Sequence, residues 1–74
     1  MRKISEIAVE IKNDWRNVNF AARPYLDAMR HLHSVTDKYY FDDARSIIRY
    51  FLSNASSWRG EKAKAIKAEL KGML

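Results

Sequence analysis

The sequence predicts an all-α chain, a small bundle of three to four short amphipathic helices, on three observations. Apolar residues recur at helical spacing in separate stretches. Two glycines and one proline in 74 residues are too few for the turn chemistry of a many-stranded fold. No internal repeat, low-complexity segment or linker divides the chain, so residues 1–74 read as a single helical domain.

The first helix is predicted from Ile4, Ile7, Ala8, Ile11, Trp15 and Val18, which share one narrow arc at helical periodicity over about four turns. Glu6, Glu10 and Asp14 run down one flank, and Arg2, Lys12 and Arg16 lie on the other. Asn17 and Asn19 mark the exit. Pro24 suits the first turn of a second helix, where a missing N–H costs nothing. Tyr25, Ala28, Met29 and Leu32 then form its apolar face, with Leu26 at the edge, and it should fray by Ser34. Residues 20–23 fit either a turn or a kinked helical extension.

The third helix has the clearest pattern. Asp42 is placed to cap it, and Ala44, Ile47, Ile48, Phe51, Leu52 and Ala55 follow the i, i+3, i+4, i+7 spacing. Tyr40 and Phe41 project onto the same arc from the polar-aromatic connection before it. "SNASS" ends this helix, and Ser57 is placed to cap a fourth, lined by Ala63, Ile66, Leu70 and Met73 with Trp58 as anchor. The first, third and fourth helices are expected to supply most of the core.

A domain this small buries only about 60% of the surface its unfolded chain exposes. With no cysteine there is no disulfide to compensate. Absence of cysteine also fits a reducing compartment. The opening "MRKISEIAVEI" starts basic and then apolar, but Glu6 and Glu10 interrupt it before a signal-peptide core forms. No apolar run approaches a membrane span, so a cytoplasmic chain without membrane association is expected.

Catalysis and metal binding lack the parts they need. His31 and His33, two apart on a helix, would point in different directions and could not share a metal. His33 borders the apolar face and should be partly buried; His31 should be exposed. Asp42 and Asp43 are explained by the positive end of a helix, and Ser56 and Ser57 by a turn and a cap. The reading is a non-enzyme with no cofactor.

Two binding surfaces remain. Tyr39, Tyr40, Phe41, Tyr50 and Trp58 are more aromatic area than short helices easily hide, and they either seal the ends of the core or form an interface. Tyr39, Tyr40, Tyr50, Trp58 and Arg59 are therefore the candidate protein interface, for a protein partner or a homodimer. The alternative is nucleic acid. The net charge of +5 hints at an acidic partner, although it is also an ordinary solubility charge. Lys64, Lys67 and Lys71 would form one basic ridge, and helix three, a turn at 53–57 and helix four could make a helix-turn-helix. Arg59, Lys62, Lys64, Lys67 and Lys71 are its candidate contacts. Base readout favours Arg, Asn and Gln over lysine, and the Glu6–Glu10–Asp14 flank would repel a duplex. Protein binding ranks first.

The segments "KISEIA", "PYLDAM" and "SIIRYFLSNASSWRGEKAKAIKAEL", centred on Trp58, Arg59 and Gly60, resemble a group of small uncharacterised phage and prophage proteins of Gram-positive bacteria. The resemblance covers nearly the whole chain. It implies no catalytic residues. It does imply an accessory protein, made inside a bacterial cell, that works by binding host or phage macromolecules.

Overall fold

A computed structural model of the chain describes residues 2–39 and 42–74. Four helices follow in order: α1 (Ile4–Asp14), α2 (Arg23–Met29), α3 (Ala44–Ser53) and α4 (Glu61–Gly72). A two-stranded antiparallel sheet, β1 (Lys38–Tyr39) and β2 (Asp42–Asp43), precedes α3, with Lys38 opposite Asp43 and Tyr39 opposite Asp42. The fold is thus mostly helical but not strictly all-α. Tyr40 and Phe41, expected to cap the core from this connection, lie outside the described residues.

Helix α2 packs against both α1 and α3, while α4 packs on α1. One contiguous core results, with Phe51, Ile4, Ile7, Ile11, Met29, Leu32, Ile48 and Leu70 fully buried. The second helical segment contributes more than its weak pattern suggests. Leu26, expected at an edge, is buried with Ala28 and Met29, and Ala22 and Leu32 add two further core residues from just outside the helix.

The ends of the helices account for the differences from the expected boundaries. Helix α1 stops at Asp14 rather than near Val18. Trp15 leaves helical geometry, with φ −95° and ψ 83°, yet stays in the core. Among the described residues no side chain caps the start of α1. Instead its first N–H groups are taken by the chain beyond α2: Ile4 N–H donates to the His33 carbonyl at 3.2 Å and Ser5 N–H to the Leu32 carbonyl at 2.8 Å. Two of the four donors that every helix start leaves open are thereby satisfied by a tertiary contact.

Residues 20–22 form a turn and α2 begins at Arg23, with Pro24 in its first turn. The helix ends at Met29, so His31 and His33 lie beyond it and both are exposed, His33 contrary to expectation. The connection is then ordered by Asp37, whose carboxylate accepts the backbone N–H groups of His33 at 2.8 Å and Ser34 at 3.3 Å. The cap of α3 is Asp43, not Asp42, and its Oδ1 accepts the Ser46 N–H at 2.7 Å. At the far end Asn54 Nδ2 donates to the Tyr50 carbonyl at 2.8 Å. Helix α4 starts at Glu61, three residues later than Ser57 capping would place it, because Gly60 takes φ +115° and ψ 174° to turn the chain. Only glycine enters that region readily.

The Arg2 guanidinium ties the N-terminal segment to two helices by bonding Glu10 of α1 and Glu69 of α4, and Lys62 adds a 3.7 Å pair to Glu10. Hydrogen bonding to Arg2 holds both glutamates below their ordinary value of 4.5. The backbone N–H groups of His33 and Ser34 hold Asp37 below 3.8, and that of Ser46 does the same for Asp43. Each carboxylate has a folded pKa below its unfolded one. Their stabilisation is therefore complete above the unfolded values and is lost as the pH falls through the folded ones. We expect a melting temperature that holds steady down to about the ordinary carboxylate range and declines below it. Thermal melts followed by circular dichroism at decreasing pH check this. The combined Asp37→Asn, Asp43→Asn variant should show a shallower acid decline, and an unchanged decline would remove these two caps from the account.

Candidate functional site

Trp58 is not a surface residue. It is 2% exposed, stacks on Trp15 at 5.9 Å with planes 12° apart, and meets Phe51 edge-on at 6.4 Å. Its Nε1–H donates to Asp14 Oδ2 at 2.8 Å. An indole that is stacked, buried and hydrogen-bonded is committed to the core, and it leaves the candidate interface. Arg59, next in sequence, is exposed. Tyr39 is half-buried, packs against the core from β1 and stacks on His31 at 5.7 Å. Tyr40 lies outside the described residues.

The basic ridge on α4 is also altered. Lys67 turns inward and donates to the carbonyls of Ala55 at 2.7 Å and Trp58 at 2.6 Å, with its ammonium 5.8 Å from the Trp58 ring. Burial, followed by the charges of Lys71 and Arg59, lowers its pKa from the ordinary lysine value. Lys62 is drawn to Glu10. Arg59, Lys64 and Lys71 remain as exposed cations. Arg59, Lys64 and Lys67 do line one shallow depression of about 310 Å³ together with Trp58, Gly60 and Ala63. The acidic flank of α1 is similarly occupied, Glu10 by Arg2 and Lys62 and Asp14 by Trp58. Residues 54–60 separate α3 from α4, and the two helices pack mainly on α2 and α1 respectively. A helix-turn-helix joins its helices by a shorter turn, about 3–4 residues.

The aromatic surface that does form was only partly legible. Tyr50 on α3 is 50% exposed and meets Tyr25 of α2 at 5.4 Å, the two rings tilted by 36°. Phe20, at the tip of the turn before α2, is 86% exposed. This turn is held in place. Asn19 Nδ2 donates to the Asn54 carbonyl at the end of α3 at 3.2 Å, its Oδ1 accepts the Ala21 N–H at 3.1 Å, and Arg23 Nε donates to the Val18 carbonyl at 3.3 Å. Residues 19–25 therefore run along α3 from Asn54 back to Tyr50, one helical turn earlier. Phe20 sits beside the first contact and Tyr25 makes the second. The sequence signal for Phe20 was a large aromatic ahead of Pro24 that belongs to no apolar arc.

The described residues contain no group of three or more His, Cys, Asp or Glu placed to hold a metal ion. No helix among them is long and apolar enough to cross a membrane. Comparison with protein-family models, curated proteins and solved structures finds no match to this chain.

Proposed function

We propose that the chain is a small, basic, non-enzymatic binding module that engages a protein partner through the face carrying Phe20, Tyr25 and Tyr50. In this reading it is a cytoplasmic accessory protein of the phage or prophage type that its sequence resembles. The observation that carries the reading is Phe20, whose ring is 86% exposed on a turn fixed by three hydrogen bonds. A solvated phenylalanine on a pre-ordered turn gains little for the fold. A partner that covers it gains apolar burial without the entropy of ordering the turn. The tyrosine pair lies at the other end of the same segment, where Tyr25 meets Tyr50, and aromatic side chains are enriched among residues that dominate protein association.

Phe20→Ser should change folding stability by no more than about 0.5 kcal/mol, as exposed substitutions usually do. The same change should weaken partner binding by about 2 kcal/mol or more, as loss of an anchoring residue does. The test places the photoreactive residue benzoylphenylalanine at position 20 and illuminates cells expressing the chain. A discrete protein adduct that survives nuclease, and fades with Tyr50→Ser, is expected; the same probe at position 64 should give none. No adduct at position 20, or one that nuclease removes, would overturn the reading.

A further inference from the structure

Beside the aromatic face lies a groove of about 440 Å³ between the end of α1 and the start of α2, lined by Lys12, Arg16, Val18, Arg23, Leu26 and Asp27. Its floor is apolar: Leu26 is buried and Val18 is half-buried against the core. Three cations and one carboxylate stand around that floor. Lys12 and Arg16 have an ordinary role near the C-terminus of α1, where positive charge complements the helix dipole. Arg23 has one as well, since its Nε closes the turn onto Val18. None of these roles consumes their charge. Among the described residues the ion pairs gather around Arg2, Glu10, Glu69 and Lys62, and no carboxylate pairs with Lys12, Arg16 or Arg23.

We infer that this groove receives an acidic peptide segment of the protein partner. Carboxylates of the segment meet Lys12, Arg16 and Arg23, and an apolar side chain between them rests on Val18 and Leu26. The inference rests on the proposed protein-binding role, and it names the chemistry that the partner must carry. Charge complementarity selects the occupant. A nucleic-acid strand would bring one phosphate charge per nucleotide past the Asp27 carboxylate, which opposes it. A peptide instead offers backbone N–H donors to Asp27 and apolar atoms to the floor. The groove also adjoins the aromatic face, because Val18 and Arg23 bracket the turn that presents Phe20. One partner can cover both.

The test is a titration of isotope-labelled protein, followed by amide NMR at about 150 mM salt, where exposed charges are screened beyond about 8 Å. The probes are synthetic peptides with a single leucine or phenylalanine between glutamates, the same peptides with glutamine for glutamate, and oligothymidylate. The acidic peptides should shift the amides of Lys12, Arg16, Arg23 and Asp27. The glutamine versions should bind about tenfold more weakly or worse, the usual worth of a charge-assisted hydrogen bond. The double variant Lys12→Gln, Arg16→Gln should lose the acidic peptides to a similar extent and stay folded, giving up only the small helix-dipole contribution of two exposed cations, since neither side chain bonds another described residue. Equal binding of the glutamine peptides, tighter binding of oligothymidylate at these residues, or no shift at them would overturn the inference. If that happens while the adduct at position 20 persists, the groove is wrong and protein binding stands. A groove that binds the acidic peptides without any adduct at position 20 would instead defeat the broader reading.

Discussion

Truncating Trp58 to alanine is expected to cost about 3–5 kcal/mol, as removal of a large buried ring does. A chain of this length holds in total about 4–11 kcal/mol, at roughly 0.05–0.15 kcal/mol per residue. The variant should therefore be largely unfolded or close to it. Three contacts are lost together: the stack on Trp15, the edge contact with Phe51 and the Nε1 bond to Asp14. The ring joins the residues after α1, the last turn of α3 and the approach to α4, and no disulfide holds those parts together in its absence. Chemical denaturation of the wild type, Trp58→Ala and Trp58→Phe separates the terms. Phenylalanine keeps an aromatic ring in the core but removes the bond to Asp14, and should cost less than alanine does. A Trp58→Ala protein within about 1 kcal/mol of wild type would place the ring outside the core, since core truncations exceed that.

The helices were legible where an apolar stripe repeats over several turns. Ile4 to Ile11, Ala44 to Phe51 and Ala63 to Leu70 are buried as their spacing predicts, because burial of one face is what stabilises such helices. The pattern does not reveal where a stripe leaves the helix. Trp15 completes the arc of α1 by spacing, yet the chain unwinds at that residue to lay its ring on Trp58. The pairing of Lys38–Tyr39 with Asp42–Asp43 was invisible for a related reason: two residues per strand carry no readable alternation, and "KYYFDD" lacks the glycine that signals paired strands. Gly60 moved the start of α4 through a backbone conformation, while Ser57 offered a plausible cap three residues too early. The candidate site suffered most. Tyr50 is legible as one of the aromatic residues that short helices do not easily hide. Phe20 and the Lys12–Arg16–Arg23 groove depend on how a turn is tied down by Asn19, a contact made with a residue 35 positions away in the chain.

Lys67 carries the second large effect, and it changes how the basic ridge should be tested. On a helical projection it is one of three equivalent lysines, and replacing all three should leave the fold intact. In the structure it bonds two carbonyls of the segment leading into α4 and lies over the Trp58 ring. Lys67→Met keeps most of the stem and removes the donor, leaving the Ala55 and Trp58 carbonyls without it. The expected cost is about 1–3 kcal/mol, the range for a part-buried polar group that loses its partner. Lys64→Gln and Lys71→Gln should each stay within about 0.5 kcal/mol, because both side chains are exposed and glutamine is a comparable helix former. The pH dependence gives a second readout. Burial first, then Lys71 and Arg59, lower the folded pKa of Lys67 from 10.5, so the unfolded chain keeps this proton at pH values where the folded chain has released it. Stability attributable to Lys67 should accordingly rise with pH between the lowered value and 10.5. Denaturation of wild type and Lys67→Met across that window should yield a gap that widens with pH. A gap that narrows, or a Lys67→Met protein as stable as Lys64→Gln, would return Lys67 to the solvated ridge. Loss of nucleic-acid binding in a triple variant that includes Lys67 would report the fold as much as the surface, so the ridge is tested by Arg59, Lys64 and Lys71 alone.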